Sequence, residues 1–227
     1  MRFGAHRLIQ PMSNPLYKLI WLSKLSKWRK DTKVSGYNDF YTKGYIYENR
    51  YRVYAFLLER YQLKDSPVNY IEFGVEEGNS MKWWLEHSVH PGSIFLGLDT
   101  FEGLPEKWGP HEKGAMAFPM EQVDINDARV TFFKGLFQET ANEALNHLQA
   151  AHRTLFHMDA DLFSSTLFAL TQCYRFMKPG DLIIFDEFTT PVHEFRAFLL
   201  FTESFYVKYE VVAAATNYSF LAVEVKG

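Results

Sequence analysis

The sequence contains little cysteine and no long apolar run. Its 227 residues include one cysteine, Cys173, so no disulfide can form within the chain. The longest apolar runs, such as residues 19–22 and 211–215, are far shorter than the roughly 20 residues of a membrane-spanning helix. These absences exclude a disulfide-stapled scaffold and a helical membrane protein. Because the N-terminus also lacks a continuous apolar signal segment, we expect a reducing, cytoplasmic setting.

Low-complexity tracts and fixed-period repeats are missing as well. The chain is 47% hydrophobic, 17% aromatic and 22% charged, which is too apolar for a disordered protein. Its length corresponds to about one and a half common domains. We therefore expect a main domain at residues 67–227, preceded at residues 1–66 by a basic arm and aromatic helices that cap the core or contact another subunit.

Acidic residues are absent from the start of the chain. Residues 1–30 carry seven basic side chains, which leaves 17 basic against 27 acidic residues in the remainder. This excess of acidic residues in the remainder of the chain argues against nucleic-acid binding. The seven basic residues are Arg2, Arg7, Lys18, Lys24, Lys27, Arg29 and Lys30.

The arm also has an apolar pattern of helical spacing. Residues 16–30 are a candidate amphipathic helix, with the apolar residues Leu16, Leu19, Ile20, Leu25 and Trp28. One interpretation is contact with an anionic membrane surface. The other, which we favour, is packing on the core or on a neighbouring subunit, because surface helices are commonly amphipathic for that reason.

Beyond the arm, predicted strands alternate with predicted helices, as is typical of a parallel sheet covered on both faces. After an aromatic helix at residues 45–61, the expected strands are residues 68–73, 93–98, 130–134, 154–158 and 181–185, and the expected helices are residues 80–87, 139–149, 165–177 and 192–205. Two last strands, 206–215 and 218–225, flank a turn so short that they must be antiparallel. The sequence therefore predicts an α/β fold, a doubly wound, Rossmann-like, seven-stranded and mostly parallel sheet with a C-terminal antiparallel hairpin.

Ligands of such sheets bind beyond the carboxyl ends of the strands, so the residues that follow strands are candidates for the site. After the first strand, Gly74 and Gly78 permit a tight turn, and Ser80 is placed to cap the next helix. After the second strand, Asp99 is placed to accept hydrogen bonds from both hydroxyls of a ribose. Together these features predict an adenosine-containing cofactor, although an ordinary turn and an ordinary cap would explain each one alone.

Four carboxylates follow the fourth and fifth strands: Asp159 and Asp161, then Asp186 and Glu187. Gathering like charges in a cleft costs free energy unless a cation is present or protons are taken up. Oxygen ligands of this kind suit Mg²⁺, Mn²⁺ or Ca²⁺ rather than zinc. The alternative is that Asp159 and Asp161 cap the following helix while the other pair is solvated.

His193 follows these acids closely along the chain. It is a candidate general base or substrate ligand, but we favour a surface pair with Glu194. Cys173 is expected to be a small core residue rather than a nucleophile.

The candidate residues belong to five motifs that occur in a fixed order. The motifs are Glu72-Phe73-Gly74-Val75 with Gly78-Asn79-Ser80, Asp99-Thr100-Phe101-Glu102-Gly103-Leu104-Pro105, Lys134-Gly135-Leu136-Phe137-Gln138-Glu139-Thr140, Asp159-Ala160-Asp161-Leu162-Phe163-Ser164-Ser165-Thr166 and Phe185-Asp186-Glu187-Phe188. From about residue 70 to residue 201 the chain resembles class I S-adenosylmethionine-dependent methyltransferases, and more narrowly the macrocin O-methyltransferase family, which methylates sugar hydroxyls of macrolide and aminocoumarin natural products.

The chain departs from that family in two places. Glu187 stands where many relatives have aspartate, and a loop rich in Gly, Pro and Met lies between residues 105 and 130, where the macrolide enzymes carry more helical structure.

The resemblance implies a role for each motif. Cofactor binding would fall to Glu72, Gly74, Val75 and Ser80 for the methionine part, Asp99 and Thr100 for the ribose, the backbone of Gly135, Leu136 and Phe137 for the adenine, and Asp159. Asp161, Asp186 and Glu187 would bind a magnesium ion that also contacts two substrate oxygens.

The implied reaction is the in-line attack of a substrate hydroxyl on the methyl group of S-adenosylmethionine. Asp161 would be a metal ligand and proton acceptor, and His193 is a second catalytic candidate. We expect a small sugar or polyol acceptor, with catechol-like diols as the next candidate, and a homo-oligomer. Two alternatives stay open: a nicotinamide-dependent oxidoreductase, which the missing Gly-x-Gly-x-x-Gly run disfavours, and a catalytically silent methyltransferase-like binding subunit.

Overall fold

The computed structural model describes residues 5–227, with side chains from residue 12 onward. Arg2 and the side chain of Arg7, two of the predicted basic residues, therefore lie outside the described part. The elements are α1 (Ala5–Asp31), β1 (Val34–Asn38), α2 (Arg50–Arg60), β2 (Val68–Phe73), α3 (Asn79–His87), β3 (Ile94–Asp99), β4 (Val130–Lys134), α4 (Phe137–Leu145), β5 (Arg153–Met158), α5 (Phe163–Cys173), β6 (Leu182–Phe185), α6 (Glu194–Phe205), β7 (Lys208–Ala215) and β8 (Phe220–Lys226). None of these helices has the length and hydropathy needed to cross a membrane.

All the strands form one sheet in the order β1-β7-β8-β6-β5-β2-β3-β4. Every neighbouring pair is parallel except the two that involve β8, which runs antiparallel to β6 and to β7. The predicted α/β fold, with a mostly parallel sheet and a C-terminal hairpin, is confirmed. The winding reverses between β2 and β5, which places the expected ligand crevice beyond the carboxyl ends of these two strands.

The sheet has eight strands rather than the seven predicted, because β1 adds an edge. It pairs in parallel with β7, with Val34 opposite Val211. The sequence Val-Ser-Gly-Tyr-Asn did not predict a strand, since glycine and asparagine are poor strand formers. Glycine is needed here nevertheless, because a Cβ on Gly36 would lie 2.2 Å from the ring of Phe56.

The core lies on both faces of the sheet, and β2 is buried along its whole length. Its side chains alternate, so that Val68 and Tyr70 pack with α2 and α3 while Ile71 and Phe73 pack with α4, α5 and α6. Cys173 is buried in the second of these layers, as expected. Helices thus cover both faces, and polar side chains collect at the strand ends.

Candidate functional site

A cavity of about 410 Å³ opens at the carboxyl ends of β2, β3, β5 and β6. Most of the predicted site residues line it, namely Glu72, Gly74, Val75, Ser80, Asp99, Thr100, Leu136, Phe137, Asp159, Asp161, Asp186 and Glu187. Gly135 and His193 are not among its lining residues. The structure therefore brings all four strand-end carboxylates to one cavity.

The turn after β2 requires glycine at its first position. Gly74 has a φ of +98°, and a Cβ there would lie 1.9 Å from the carbonyl oxygen of Asp159. The capping role expected of Ser80 is wrong, because Gly78 occupies the N-cap position of α3 and Ser80 lies within the first turn. The Ser80 hydroxyl instead lies 3.1 Å from the hydroxyl of Tyr54.

Asp99 holds the loops around the cavity together. Its Oδ2 accepts hydrogen bonds from the backbone amides of Val75 (2.7 Å) and Glu76 (3.0 Å), and its Oδ1 accepts one from Phe101 (2.7 Å). A carboxylate has about four acceptor positions, so these amides leave room on Oδ1 for roughly one more strong donor. The geometry suits one ribose hydroxyl better than the two expected from the sequence.

Asp186, the most buried of the four strand-end carboxylates, is paired with an arginine that lies outside the five sequence motifs. Arg50, the first residue of α2, is 2% exposed and donates from Nη1 to Asp186 Oδ2 at 2.7 Å. The same nitrogen lies 3.8 Å from Asp159 Oδ2, and the guanidinium stacks 3.6 Å from the ring centre of Tyr47. A signal for this residue was present in the sequence, since Arg50 shares the apolar face of a helix with Val53, Tyr54 and Leu57.

A second buried cation, His157, lies beside Asp186. Its Nε2 is 3.5 Å from Asp186 Oδ1, and its Nδ1 is 3.4 Å from Glu72 Oε1 and 2.7 Å from the Tyr70 hydroxyl. Burial by itself would lower the pKa of His157, but the hydrogen bonds to Asp186 and Glu72 outweigh it and raise the pKa to about 10. The imidazole is therefore protonated at neutral pH.

These cations determine which carboxylates are ionised. Burial favours the neutral form of Asp186, but the hydrogen bond from His157 and the charge of Arg50 hold its pKa below the ordinary value. Burial and the charge of Asp186 raise the pKa of Asp159 well above its usual range. Asp186 is thus the ionised member of this pair.

The other two carboxylates form no ion pair of this kind with residues 12–227. Burial, followed by the negative charges of Glu187 and Asp186, raises the pKa of Asp161 to about 7. Asp161 also has a φ of +55°, in the left-handed region that residues other than glycine seldom adopt. Glu187 accepts a hydrogen bond from the Tyr45 hydroxyl at 2.9 Å, and burial raises its pKa as well.

The donor chemistry of Asp161, Asp186 and Glu187 fits an oxygen-coordinated divalent cation, because three mutually repelling carboxylates share one cavity. The fit is incomplete at Asp186, whose oxygens already face Arg50 and His157. Within residues 12–227, one group of side chains has possible metal-ligand atoms that all lie within 4.8 Å of one another. Its members are Glu72, His157 and Asp159, not the predicted Asp161, Asp186 and Glu187. In that group both ring nitrogens of His157 already have partners, the Tyr70 hydroxyl at 2.7 Å from Nδ1 and Asp186 Oδ1 at 3.5 Å from Nε2.

His193 lies outside the cavity, in a neighbouring groove between α1 and residues 107–111. Its Nδ1 accepts a hydrogen bond from the Phe163 amide at 3.3 Å, and burial lowers its pKa. The favoured surface pair with Glu194 is wrong, because Glu194 is fully buried and accepts a hydrogen bond from the Glu187 amide at 3.1 Å. Trp108 lines both the groove and the cavity.

Comparisons with known proteins agree with this geometry. The model of the macrocin O-methyltransferase (TylF) family matches residues 42–212. A relative from Streptomyces olivaceus, 8-demethyl-8-(2,3-dimethoxy-alpha-L-rhamnosyl)-tetracenomycin-C 4'-O-methyltransferase, is 30% identical over 156 residues, which make up 57% of this chain and 58% of the relative. The chain thus matches less than two thirds of that relative's length.

Two solved structures have a similar fold at low sequence identity. The O-methyltransferase NovP is 18% identical with a TM-score of 0.61, over 94% of this chain and 99% of that one. The calicheamicin methyltransferase CalS11 is 18% identical with a TM-score of 0.57, over 92% of each chain. These matches extend the similarity in fold over almost the whole chain.

Proposed function

The chain belongs to the macrocin O-methyltransferase family, and on that premise we propose that it transfers a methyl group from S-adenosylmethionine to a hydroxyl group of a sugar or related polyol. The observation that carries the proposal is the single cavity that joins the glycine turn after β2 to the four strand-end carboxylates. The Streptomyces relative, named for methylation of a rhamnosyl group, supports a sugar acceptor.

The cofactor half of the cavity fits S-adenosylmethionine. Gly74 allows the backbone to come close to a ligand, and Glu72 Oε2 is a buried acceptor that has no hydrogen-bond partner in the described part of the chain. That oxygen suits the ammonium group of the methionine part, while Asp99 Oδ1 suits a ribose hydroxyl. Leu136 and Phe137 would contact the adenine, and the sulfonium supplies the methyl group as an electrophile.

The acceptor half of the cavity offers a proton acceptor. In the proposed reaction the hydroxyl oxygen forms a bond to the methyl carbon, the bond from that carbon to sulfur breaks, and the hydroxyl proton passes to Asp161. Without a bound cation, the pKa of Asp161, about 7, suits a proton acceptor near neutral pH. Asp161, Asp186 and Glu187 would hold Mg²⁺, Mn²⁺ or Ca²⁺, which lowers the pKa of a bound hydroxyl.

The residues around the reacting groups would position them. Arg50 and His157 fix the carboxylate of Asp186, and Tyr45 fixes that of Glu187, so neither has to be ordered when substrate binds. Exposed aromatic side chains of the N-terminal part, among them Tyr41 (73% exposed) and Tyr47 (40%), suit contact with a second copy of the chain. We therefore include a homo-oligomer in the proposal, which also keeps the cytoplasmic location expected from the sequence.

The test is calorimetric titration with S-adenosylhomocysteine, followed by mass-spectrometric detection of methyl transfer to rhamnosides with and without a chelator. We expect binding, transfer that Asp161→Asn reduces by at least a hundredfold, and little effect of the exposed control Asp124→Asn. Absence of binding would refute the cofactor assignment. Binding without transfer to any polyol would favour a silent binding subunit, and full activity after chelation would remove the metal.

A further inference from the structure

Helix α1 has two apolar faces, and the core uses one of them. Trp21 and Leu25 are buried, and Trp28 packs beside them and donates from Nε1 to the Tyr209 hydroxyl at 2.9 Å. The opposite face remains in solvent, and we call it the outer face of α1. Its apolar side chains are Met12 (59% exposed), Leu16 (45%), Leu19 (60%), Ile20 (56%) and Leu22 (52%).

The second half of the helix carries positive charge. The described part of α1 has five basic side chains, Lys18, Lys24, Lys27, Arg29 and Lys30. Its one acidic residue, Asp31, is the last residue of the helix and pairs with Lys27. An exposed aliphatic cluster followed by a cationic segment is thus displayed on a protein whose remainder is acidic.

We propose that the outer face of α1 binds the surface of an anionic lipid bilayer. Aliphatic side chains on one face of a helix enter the boundary between headgroups and acyl chains, and neighbouring lysines and arginines pair with anionic headgroups. No contact within the described residues removes these five apolar side chains from water. The proposal concerns where the protein resides, so it is independent of the proposed methyl transfer.

The alternative occupant is a second copy of the chain. In a two-fold symmetric dimer each helix meets the same face of its partner, which offers no free carboxylate to the lysines and Arg29, because the one acidic residue of the described part of α1, Asp31, already pairs with Lys27. An anionic bilayer complements that charge and a second α1 does not. Charge therefore favours the membrane over self-association through this face.

The location of the helix agrees with an enzyme that works at a surface. Lys18, Leu19 and Leu22 of α1 form one wall of the groove whose other wall includes Trp108. Trp108 also lines the cavity that contains the carboxylates. A bilayer against the outer face of α1 would thus lie beside the entrance to the candidate active site.

The test is co-sedimentation of the full-length protein with vesicles of phosphatidylcholine alone or of phosphatidylcholine mixed with phosphatidylglycerol. We expect pelleting with the anionic vesicles and little with the neutral ones, and a loss of binding in high salt. Replacing Lys24, Lys27 and Lys30 by glutamine should lower the partition coefficient by roughly a hundredfold. The apolar variant Leu19→Glu with Ile20→Glu should abolish pelleting.

Val89→Glu is the matched control, since Val89 is a 48% exposed apolar residue outside α1. It should pellet like the wild type, and circular dichroism should show that every variant melts as the wild type does. Equal pelleting with both vesicle types, or no pelleting with either, would overturn the proposal. A change from oligomer to monomer in the Leu19/Ile20 variant, seen by light scattering without lipid, would assign the face to subunit contact instead.

Discussion

Replacing Arg50 with methionine removes the cation nearest to Asp186 and keeps most of the apolar volume of the side chain. Removing one partner of a buried ion pair typically costs about 3–5 kcal/mol, because the other charge stays buried. The lower end applies here, since His157 remains 3.5 Å from Asp186 Oδ1. We therefore expect a loss of about 3 kcal/mol, which for a chain of this length lowers the melting temperature by roughly 6–12 °C.

Urea unfolding of four proteins measures this effect: the wild type, Arg50→Met, Asp186→Asn and the double variant. Because the two side chains meet at 2.7 Å, the double variant should lose less stability than the sum of the single losses, by about 2 kcal/mol. Arg50→Lys, which keeps the charge but not the planar fork, should fall between wild type and methionine. Strictly additive losses, or a loss below about 1 kcal/mol in Arg50→Met, would refute the inferred pairing.

Three further predictions concern the turn after β2 and two buried side chains. Gly74→Ala should abolish binding of S-adenosylhomocysteine in calorimetry, because its Cβ would lie 1.9 Å from the Asp159 carbonyl oxygen, whereas Gly109→Ala, with no atom within 4 Å of its Cβ, should bind normally. Cys173 should resist iodoacetamide until the protein unfolds, since burial raises the pKa of its thiol, and rapid native labelling would contradict its position in the core. Burial raises the pKa of Glu194 well above its usual value, so its contribution to stability is present at acidic pH and is lost as pH rises. Glu194→Gln should therefore gain stability relative to the wild type between pH 5 and 8 in thermal melts, and a pH-independent difference would refute the assigned shift.

Most of the sheet was predictable because buried parallel strands leave a strong pattern. β2, β5 and β6 are short segments built around apolar residues and bounded by turns, and their observed limits differ from the predicted ones by at most a residue. β1 left no such pattern, since its place in the sheet depends on pairing with β7 more than 170 residues later. Pairing at long range is a tertiary effect that local sequence does not encode.

The candidate site was predictable in its carboxylates and not in its cations. The acids follow strands, and the topology of a parallel sheet brings strand ends together. Arg50 lies on a helix and His157 lies within β5, so neither of these cations follows a strand, although both contact Asp186. Asp99 shows the same limit, since the sequence indicated its position at a strand end but not that its side chain also accepts hydrogen bonds from three backbone amides.

The charged groups of the site come from both sides of the domain boundary that we expected between residues 66 and 67. The carboxylates of Asp186 and Glu187 come from the C-terminal part, while Arg50 and Tyr45, which satisfy them, come from the N-terminal part. An ion pair at 2.7 Å with both partners buried is far more costly to break than to keep, so α2 is held to the end of β6. The segment before residue 67 therefore supplies the charges that balance the carboxylates of the candidate site, and the two parts of the chain form this cavity together.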